Sequence, residues 1–179
     1  MTATGKLAES RVNVWDEEDA EDIHSEKYYG KFVDDHLELA PVEAYHLVER
    51  DLLEVERDGE TLEGEDLYQV FVDRDEEFDY TYRVYSDLRE RGLIVKSGFK
   101  FGAHFRVYPR GVNPYTEGPK KQKQHTKWVV HAVPEDRTMS FQEMSRAVRL
   151  ANNIRATMLW AIVDSEGGVT YYEVDHVTP

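Results

Sequence analysis

The sequence sets a phenol and an imidazole at the two ends of a polar, lysine-rich loop: Tyr108 precedes residues 109–124 and His125 follows them. If the strands flanking that loop pair, the two rings come close together at its mouth. A tyrosine and a histidine among cations can move protons on a phosphate ester without a metal. The residues alone leave a plainer reading open, with Tyr108 an edge residue and His125 a polar loop residue. From Lys96 to Lys127 there are eight basic residues, Lys120, Lys121 and Lys123 among them, against one acid, Glu117, so this stretch carries +7. The whole chain carries −14, which leaves −21 elsewhere. A basic island on an acidic body is a candidate footprint for phosphate, or else a solvated loop whose lysines hold nothing specific.

Other chemistries find less support. His104, His125 and His131 fall in one region, but no histidine pair has the close helical spacing of a zinc site. No glycine-rich phosphate loop and no Gly-x-Ser-x-Gly elbow is present. There is no cysteine, which excludes disulfides and thiolate metal sites. No cofactor or metal is expected.

The elements that must position Tyr108 and His125 can be read from spacing. Residues 1–27 are polar and acidic, with a strand predicted near 11–15. Pro41 opens a helix carrying Val42, Tyr45, Val48 and Leu52 at helical spacing. A short strand near 54–57, a turn at Asp58-Gly59 and a helix over 62–73 follow. Phe78, Tyr82, Tyr85 and Leu88 predict another helix, stopped by Gly92. Beyond it, residues 93–95, residues 99–107 with a bend at Gly102, and alternating residues 126–132 read as strands. Ser140 and Glu143 form a capping box that starts a helix with an apolar stripe of Met144, Ala147, Val148, Ala151 and Ile154. Two strands, 160–163 and 169–174, close the chain around the turn 165–168.

The fold class predicted is α+β. A polar lead-in (1–27) precedes a small N-terminal α/β domain (28–80) and a C-terminal α/β domain (81–179) with a mixed sheet. With 40% hydrophobic and 12% aromatic residues, the 179-residue chain has enough apolar material for packed cores. No apolar run approaches the ~20 residues that span a bilayer. The N-terminus lacks a basic start followed by an apolar stretch, so a cytoplasmic location is expected, with no membrane partner.

From Tyr82 onward the sequence resembles the tRNA-splicing endonucleases of archaea. The residues that carry the likeness are YRVYSDLRERGLIVKSGFKFGAHFRVYPRG, then QHTKWVVHAVPED, then RAVRLANNIRATMLWAIVDSEGGVTYYEV. Earlier, LELAPVEAYHLVERDLLEV is similar to a helix of that family's N-terminal domain. The likeness runs over residues 28–177. It implies a nuclease-like C-terminal domain and a catalytic Tyr, His and Lys triad, with Tyr108 and His125 on the matching positions. The lysine belongs after an arginine in the last helix, where this chain reads Ile154-Arg155-Ala156, and no lysine occurs after Lys127. The resemblance therefore implies a chain inactivated at Ala156, or a non-catalytic structural subunit of a heterotetramer, or an RNA-binding module that does not cut.

In chemical terms it implies metal-free cleavage of precursor tRNA at the bulge–helix–bulge form of its intron junctions, leaving 2′,3′-cyclic phosphate and 5′-hydroxyl ends. It also implies an assembly of like subunits, a homo-oligomer or a heterotetramer. By resemblance, Arg149 is a candidate to stack on a splayed-out base, being two helical turns before Ala156 on the same face, with a surface salt bridge as its plainer role. Tyr171 and Tyr172 are either the other half of a clamp on that base or sheet residues, and are read as sheet residues. The acidic turn holding Asp164 and Glu166 resembles a loop that inserts into a basic pocket of an opposing subunit, or is an exposed turn.

Overall fold

The computed structural model describes residues 2–98, 102–116 and 125–179, and the chain divides into two units, Met1–Asp79 and Tyr80–Pro179. Both contain helices and a mixed sheet, so the fold is α+β. The first unit holds 26 acidic against 7 basic side chains, a net −19; the second holds 10 against 15, a net +5.

In the first unit, the residues expected as a polar lead-in are built into the sheet, which corrects that reading. They form β1 (Ala3–Ala8), β2 (Arg11–Val14), helix α1 (Glu17–Glu21) and one π-helical turn, Asp22–Glu26. Their apolar residues alternate with polar ones, so Ala3, Val12 and Val14 are buried while Thr4 and Arg11 face water and Asn13 is half-buried. The acidic run is a helix start: Asp16 accepts a hydrogen bond from the Asp19 N–H at 3.0 Å, and Glu17, Glu18 and Asp19 fill the first turn, where the dipole favours negative charge. Strands β3 (Lys31–Val33) and β4 (His36–Leu39) follow, then α2 (Pro41–Val48), β5 (Leu53–Arg57), β6 (Glu60–Leu62) and α3 (Gly64–Arg74). The six strands run in the order β3-β4-β2-β1-β5-β6, with β1 and β5 parallel and every other pair antiparallel.

Pro41 begins α2 as its fixed φ suggests, and the buried Glu43 carboxylate satisfies two backbone N–H groups, Ala40 and Gly30, both at 2.9 Å. Tyr45, Tyr68, Phe71 and Phe78 pack as an aromatic group with centroids 5.2–6.1 Å apart.

Helix α4 (Phe78–Glu90) leads into the second unit and ends at Gly92, whose φ of +78° suits only glycine well. Strands β7 (Ile94–Ser97), β8 (Phe105–Tyr108) and β9 (Trp128–Pro134) are antiparallel neighbours. Of the strand expected over 99–107, β8 takes up only the part from Phe105, because residues 102–104 form a turn; residues 99–101 lie outside the described ones. Helix α5 (Phe141–Asn153) then crosses over to β10 (Thr157–Val163), which pairs in parallel with β9, and β11 (Val169–Val174) returns along the edge. The sheet order is β11-β10-β9-β8-β7. The expected capping box is present: the Ser140 hydroxyl accepts the Glu143 N–H at 3.2 Å, and the Glu143 carboxylate accepts the Ser140 N–H at 2.8 Å. The Ser140 amide and hydroxyl hold the Glu143 carboxyl below its usual range, with Arg137 and Arg146 adding to the effect.

The β11 edge is tied to α4 through one polar knot. The Tyr171 hydroxyl donates to Asp87 at 2.6 Å, and Arg91 donates to the same carboxylate at 2.7 Å. Burial first, and then the bond to Asp87, pushes the Tyr171 phenol far above its ordinary range. A phenol held neutral by a carboxylate is a structural donor. Tyr171→Phe removes that donor and lowers stability by about 1 kcal/mol. Urea denaturation reads the shift, and an unchanged midpoint argues against the bond.

Candidate active site

Three neighbouring strands bring the candidate residues to one end of the second unit's sheet. Val107 pairs with Trp128, and Thr157 pairs with Trp128 from the other side. The ladder continues one residue further: the Lys127 N–H donates to the Val107 carbonyl at 2.8 Å, and the Thr157 N–H donates to the Lys127 carbonyl at 3.0 Å. Tyr108, the last residue of β8, and Ala156, immediately before β10, therefore flank Lys127 on adjacent strands. Val129 lies in the apolar cluster that faces α5, together with Ala156 and Met158, and it pairs with Arg106. Side chains alternate along a strand, so counting by twos puts Tyr108, Lys127 and Ala156 on that α5 face as well. His125 lies two residues before Lys127 at the same end, partly buried.

The setting of Ala156 corrects the helical placement expected for it. Helix α5 ends at Asn153, Ile154 caps it, and Arg155 takes a left-handed φ of +60°. The Ala156 N–H then closes the turn onto the Ala151 carbonyl at 3.0 Å. An apolar stripe running through Ile154 suggested a longer helix, but the turn at Arg155 redirects the chain into β10. The relation expected between Arg149 and Ala156, two turns apart on one helical face, therefore does not hold. The Ala156 methyl is 5% exposed, within a cluster that includes Ala147, Val148, Ala151 and Met158.

Tyr108 is buried at 4% exposure. Lys127 is exposed, with its ammonium 4.0 Å from the Trp128 ring centroid. Of the basic island, Lys96 is not a surface cation. It is buried and donates to the Tyr115 hydroxyl at 2.6 Å. Arg106 donates to the Ser97 carbonyl at 2.9 Å. Lys120, Lys121 and Lys123 lie outside the described residues.

Arg149 is exposed on α5 and belongs to a different feature, a cavity of about 670 Å³ whose wall also includes Arg137, Arg146, His131 and Trp160. Tyr108, His125 and Ala156 are not wall residues of it. Spacing had not singled out Arg137, Arg146 or Trp160, because only the register of β9 on β10 brings His131 beside Trp160.

In the acidic turn, Asp164 is engaged within the turn itself. Its carboxylate accepts the N–H groups of Glu166 and Gly168 at 2.9 and 2.8 Å, and Glu135 accepts the Ser165 N–H at 2.9 Å. Glu166 is exposed. Among the described residues, no group of three or more His, Asp or Glu gathers as a metal site would need, and no helix is long and apolar enough to cross a membrane.

The chain matches two family models: "tRNA intron endonuclease, N-terminal domain" over residues 3–68, and "tRNA intron endonuclease, catalytic C-terminal domain" over residues 78–171. It is 40% identical over 171 residues to a tRNA-splicing endonuclease of Thermococcus gammatolerans, covering 96% of both chains. It is 42% identical over 172 residues to the one from Thermococcus kodakarensis, again at 96% of each. A relative of the same name from Methanococcoides burtonii is 36% identical over 176 residues, which is 97% of this chain but 48% of that protein.

Proposed function

The chain belongs to the tRNA intron endonuclease family, and from that premise we propose that it is a cytoplasmic subunit that engages precursor tRNA at bulge–helix–bulge junctions with an incomplete catalytic centre. Tyr108 is the general base that removes the proton of the 2′-hydroxyl before the cut. That oxygen attacks its own phosphorus, and His125 protonates the departing 5′-oxygen. The ends left are a 2′,3′-cyclic phosphate and a 5′-hydroxyl. A phenol oxygen can accept the 2′-hydroxyl proton and an imidazole can donate one, which are the two transfers the reaction needs.

The observation that carries this reading is the strand register, which gathers Tyr108, the His125–Lys127 segment and Ala156 at one end of three adjacent strands. At Ala156 the centre lacks the ammonium that would hold the extra charge of the pentacoordinate phosphorane. A missing cation of this kind costs about 100- to 1000-fold in rate. The charge division supports the second unit as the RNA-facing one, since phosphate favours a net +5 over −19.

One observation favours a second reading. The Ala156 methyl is well packed among small apolar residues, which suits a subunit whose partner supplies the complete centre. Assembly of like subunits enters both readings, with Glu166 as the carboxylate offered to a basic pocket of another copy. Light scattering gives the mass of the assembly, and a monomer under all conditions removes the interface from the reading.

The test of function uses end-labelled bulge–helix–bulge RNA without added metal. The chain is expected to bind it with an affinity that falls steeply with salt, and to cut it slowly or not at all. Replacing Lys120, Lys121 and Lys123 by alanine flattens the salt slope. Absence of binding to such RNA at low salt overturns the proposal, and an unchanged slope removes the loop lysines from it.

A further inference from the structure

Tyr108 stands where the ladder of the second unit's sheet gives out. It is the last residue of β8 and pairs with Ile94 of β7, while the register of β8 with β9 ends one residue earlier, at Val107 and Trp128. The open ends of a structure yield more readily than its core. A general base has to stay within about 2.6–3.2 Å of the proton it takes, and a misplacement of about 1 Å can cost about 100-fold in rate. Something beyond the ladder must therefore hold this end.

The residues that follow Tyr108 fold back and are tied to β7. Within 109–116, the Val112 N–H donates to the Pro109 carbonyl at 3.3 Å, the Asn113 side chain accepts the Tyr115 N–H at 2.8 Å, and the Thr116 hydroxyl donates to the Asn113 carbonyl at 3.0 Å. Tyr115 then meets Lys96, whose ammonium donates to the phenol oxygen at 2.6 Å. Lys96 pairs with Arg106 as Ile94 pairs with Tyr108, so Lys96 and Tyr108 are diagonal neighbours on one face of the β7–β8 pair. Nothing about Lys96 serves the sheet itself. The residue is 8% exposed, and a buried ammonium gives up its water. Directly across the ladder lies another cation, Arg106, and like charges so placed destabilise a strand pair. Arg106 turns its Nε to the Ser97 carbonyl at 2.9 Å. A hydrogen bond from an ammonium is among the stronger ones in a protein, and stronger again out of water. A task for that bond accounts for these costs.

We infer that Lys96 and Tyr115 are positioning residues of the cleavage centre. Their bond ties the segment after Tyr108 onto β7, and the tie keeps the Tyr108 phenol in place for the 2′-hydroxyl. Neither residue touches the RNA in this role. The first residues of the lysine-rich loop thus serve the base rather than the phosphate. The chemistry served rests on the function proposed above; the tie itself is a property of the fold.

The test uses Tyr115→Phe, which removes the accepting oxygen and no charge, and Lys96→Met, each in the Ala156→Lys chain, where cleavage is expected to be measurable. Each is expected to slow single-turnover cleavage of bulge–helix–bulge RNA about tenfold while RNA affinity stays within about twofold and its salt slope holds. The two together slow it no further than Lys96→Met alone, because both break one bond. A second readout needs no activity. In NMR spectra of the chain with ¹³C-labelled tyrosine, the Tyr108 ring signal is assigned through Tyr108→Phe. Tyr115→Phe is expected to broaden or multiply it, as for a phenol that samples several positions. A melting temperature that falls while the folded chain cuts at an unchanged rate overturns the inference in favour of a bond that only stabilises. Weaker binding and a flatter salt slope for Lys96→Met, but not for Tyr115→Phe, overturn it in favour of a direct phosphate contact. Should Lys96→Met fail to fold, Tyr115→Phe carries the test alone. The spectra separate the two claims. A Tyr108 signal left single and sharp by Tyr115→Phe sinks the tie and leaves the function, whereas a broadened signal in an Ala156→Lys chain that never cuts keeps the tie and removes the cleavage chemistry.

Discussion

Ala156→Lys raises the rate of metal-free cleavage of bulge–helix–bulge RNA by about two to three orders of magnitude, the effect of restoring one cation to a phosphoryl transition state. The position is demanding. Ala156 is 5% exposed and belongs to the same apolar cluster under α5 as Ala147, Val148 and Met158. A lysine fits only by running its methylenes along that apolar surface and carrying its ammonium out to the strand end where Tyr108 and Lys127 lie. Some loss of stability is therefore expected with the gain in rate. The measurement is single-turnover cleavage with the product ends identified, together with a melting curve. In that background Tyr108→Phe removes the proposed base and returns the rate to that of the unaltered chain. An Ala156→Lys chain that folds, binds RNA and does not cut, but becomes active when a second chain is added, decides for the structural subunit. If Tyr108→Phe leaves the recovered rate unchanged, the assignment of the base fails.

The candidate centre was legible to the degree that it depends on chain order. Tyr108 and His125 were singled out because one ends a strand and the other precedes the next, and β8 does pair with β9. Ala156 was singled out by motif but expected inside a helix, whereas it lies just before β10. An apolar stripe with helical spacing does not reveal where a helix stops, and Arg155 gives no warning of its left-handed φ of +60°. The lead-in was misread for a related reason. The strand expected near 11–15 is β2, but β1 hides in the polar stretch before it because only alternating positions such as Ala3 need to be apolar. The cavity walled by Arg137, Arg146 and Trp160 could not be read at all. It depends on β9 lying parallel to β10 in one register, a long-range pairing that no local pattern encodes. Charge misled in one place: Lys96 counted toward a basic surface, but its position on β7 buries it against Tyr115.

The largest effect on stability is expected at Met158. Its side chain is fully buried on β10, in register with Val129 on one side and Val174 on the other, under Ala147, Val148 and Ala151 of α5. These neighbours are short, and the backbone of the strand is fixed on both edges by hydrogen bonds. Little can move in to fill the space that Met158→Ala leaves. The loss then includes both the transfer of the side chain and the cavity, about 2–5 kcal/mol. Against a typical domain stability of about 5–15 kcal/mol this is a large fraction. Met158→Leu, which nearly conserves volume, costs less than about 1.5 kcal/mol and serves as the control. Urea denaturation followed by circular dichroism measures both. A cost below about 1 kcal/mol for the alanine variant means that β10 is not seated between β9 and β11 as described. The inference about Ala156 then loses its footing too, because the same register that buries Met158 brings Ala156 to the strand end beside Lys127 and Tyr108.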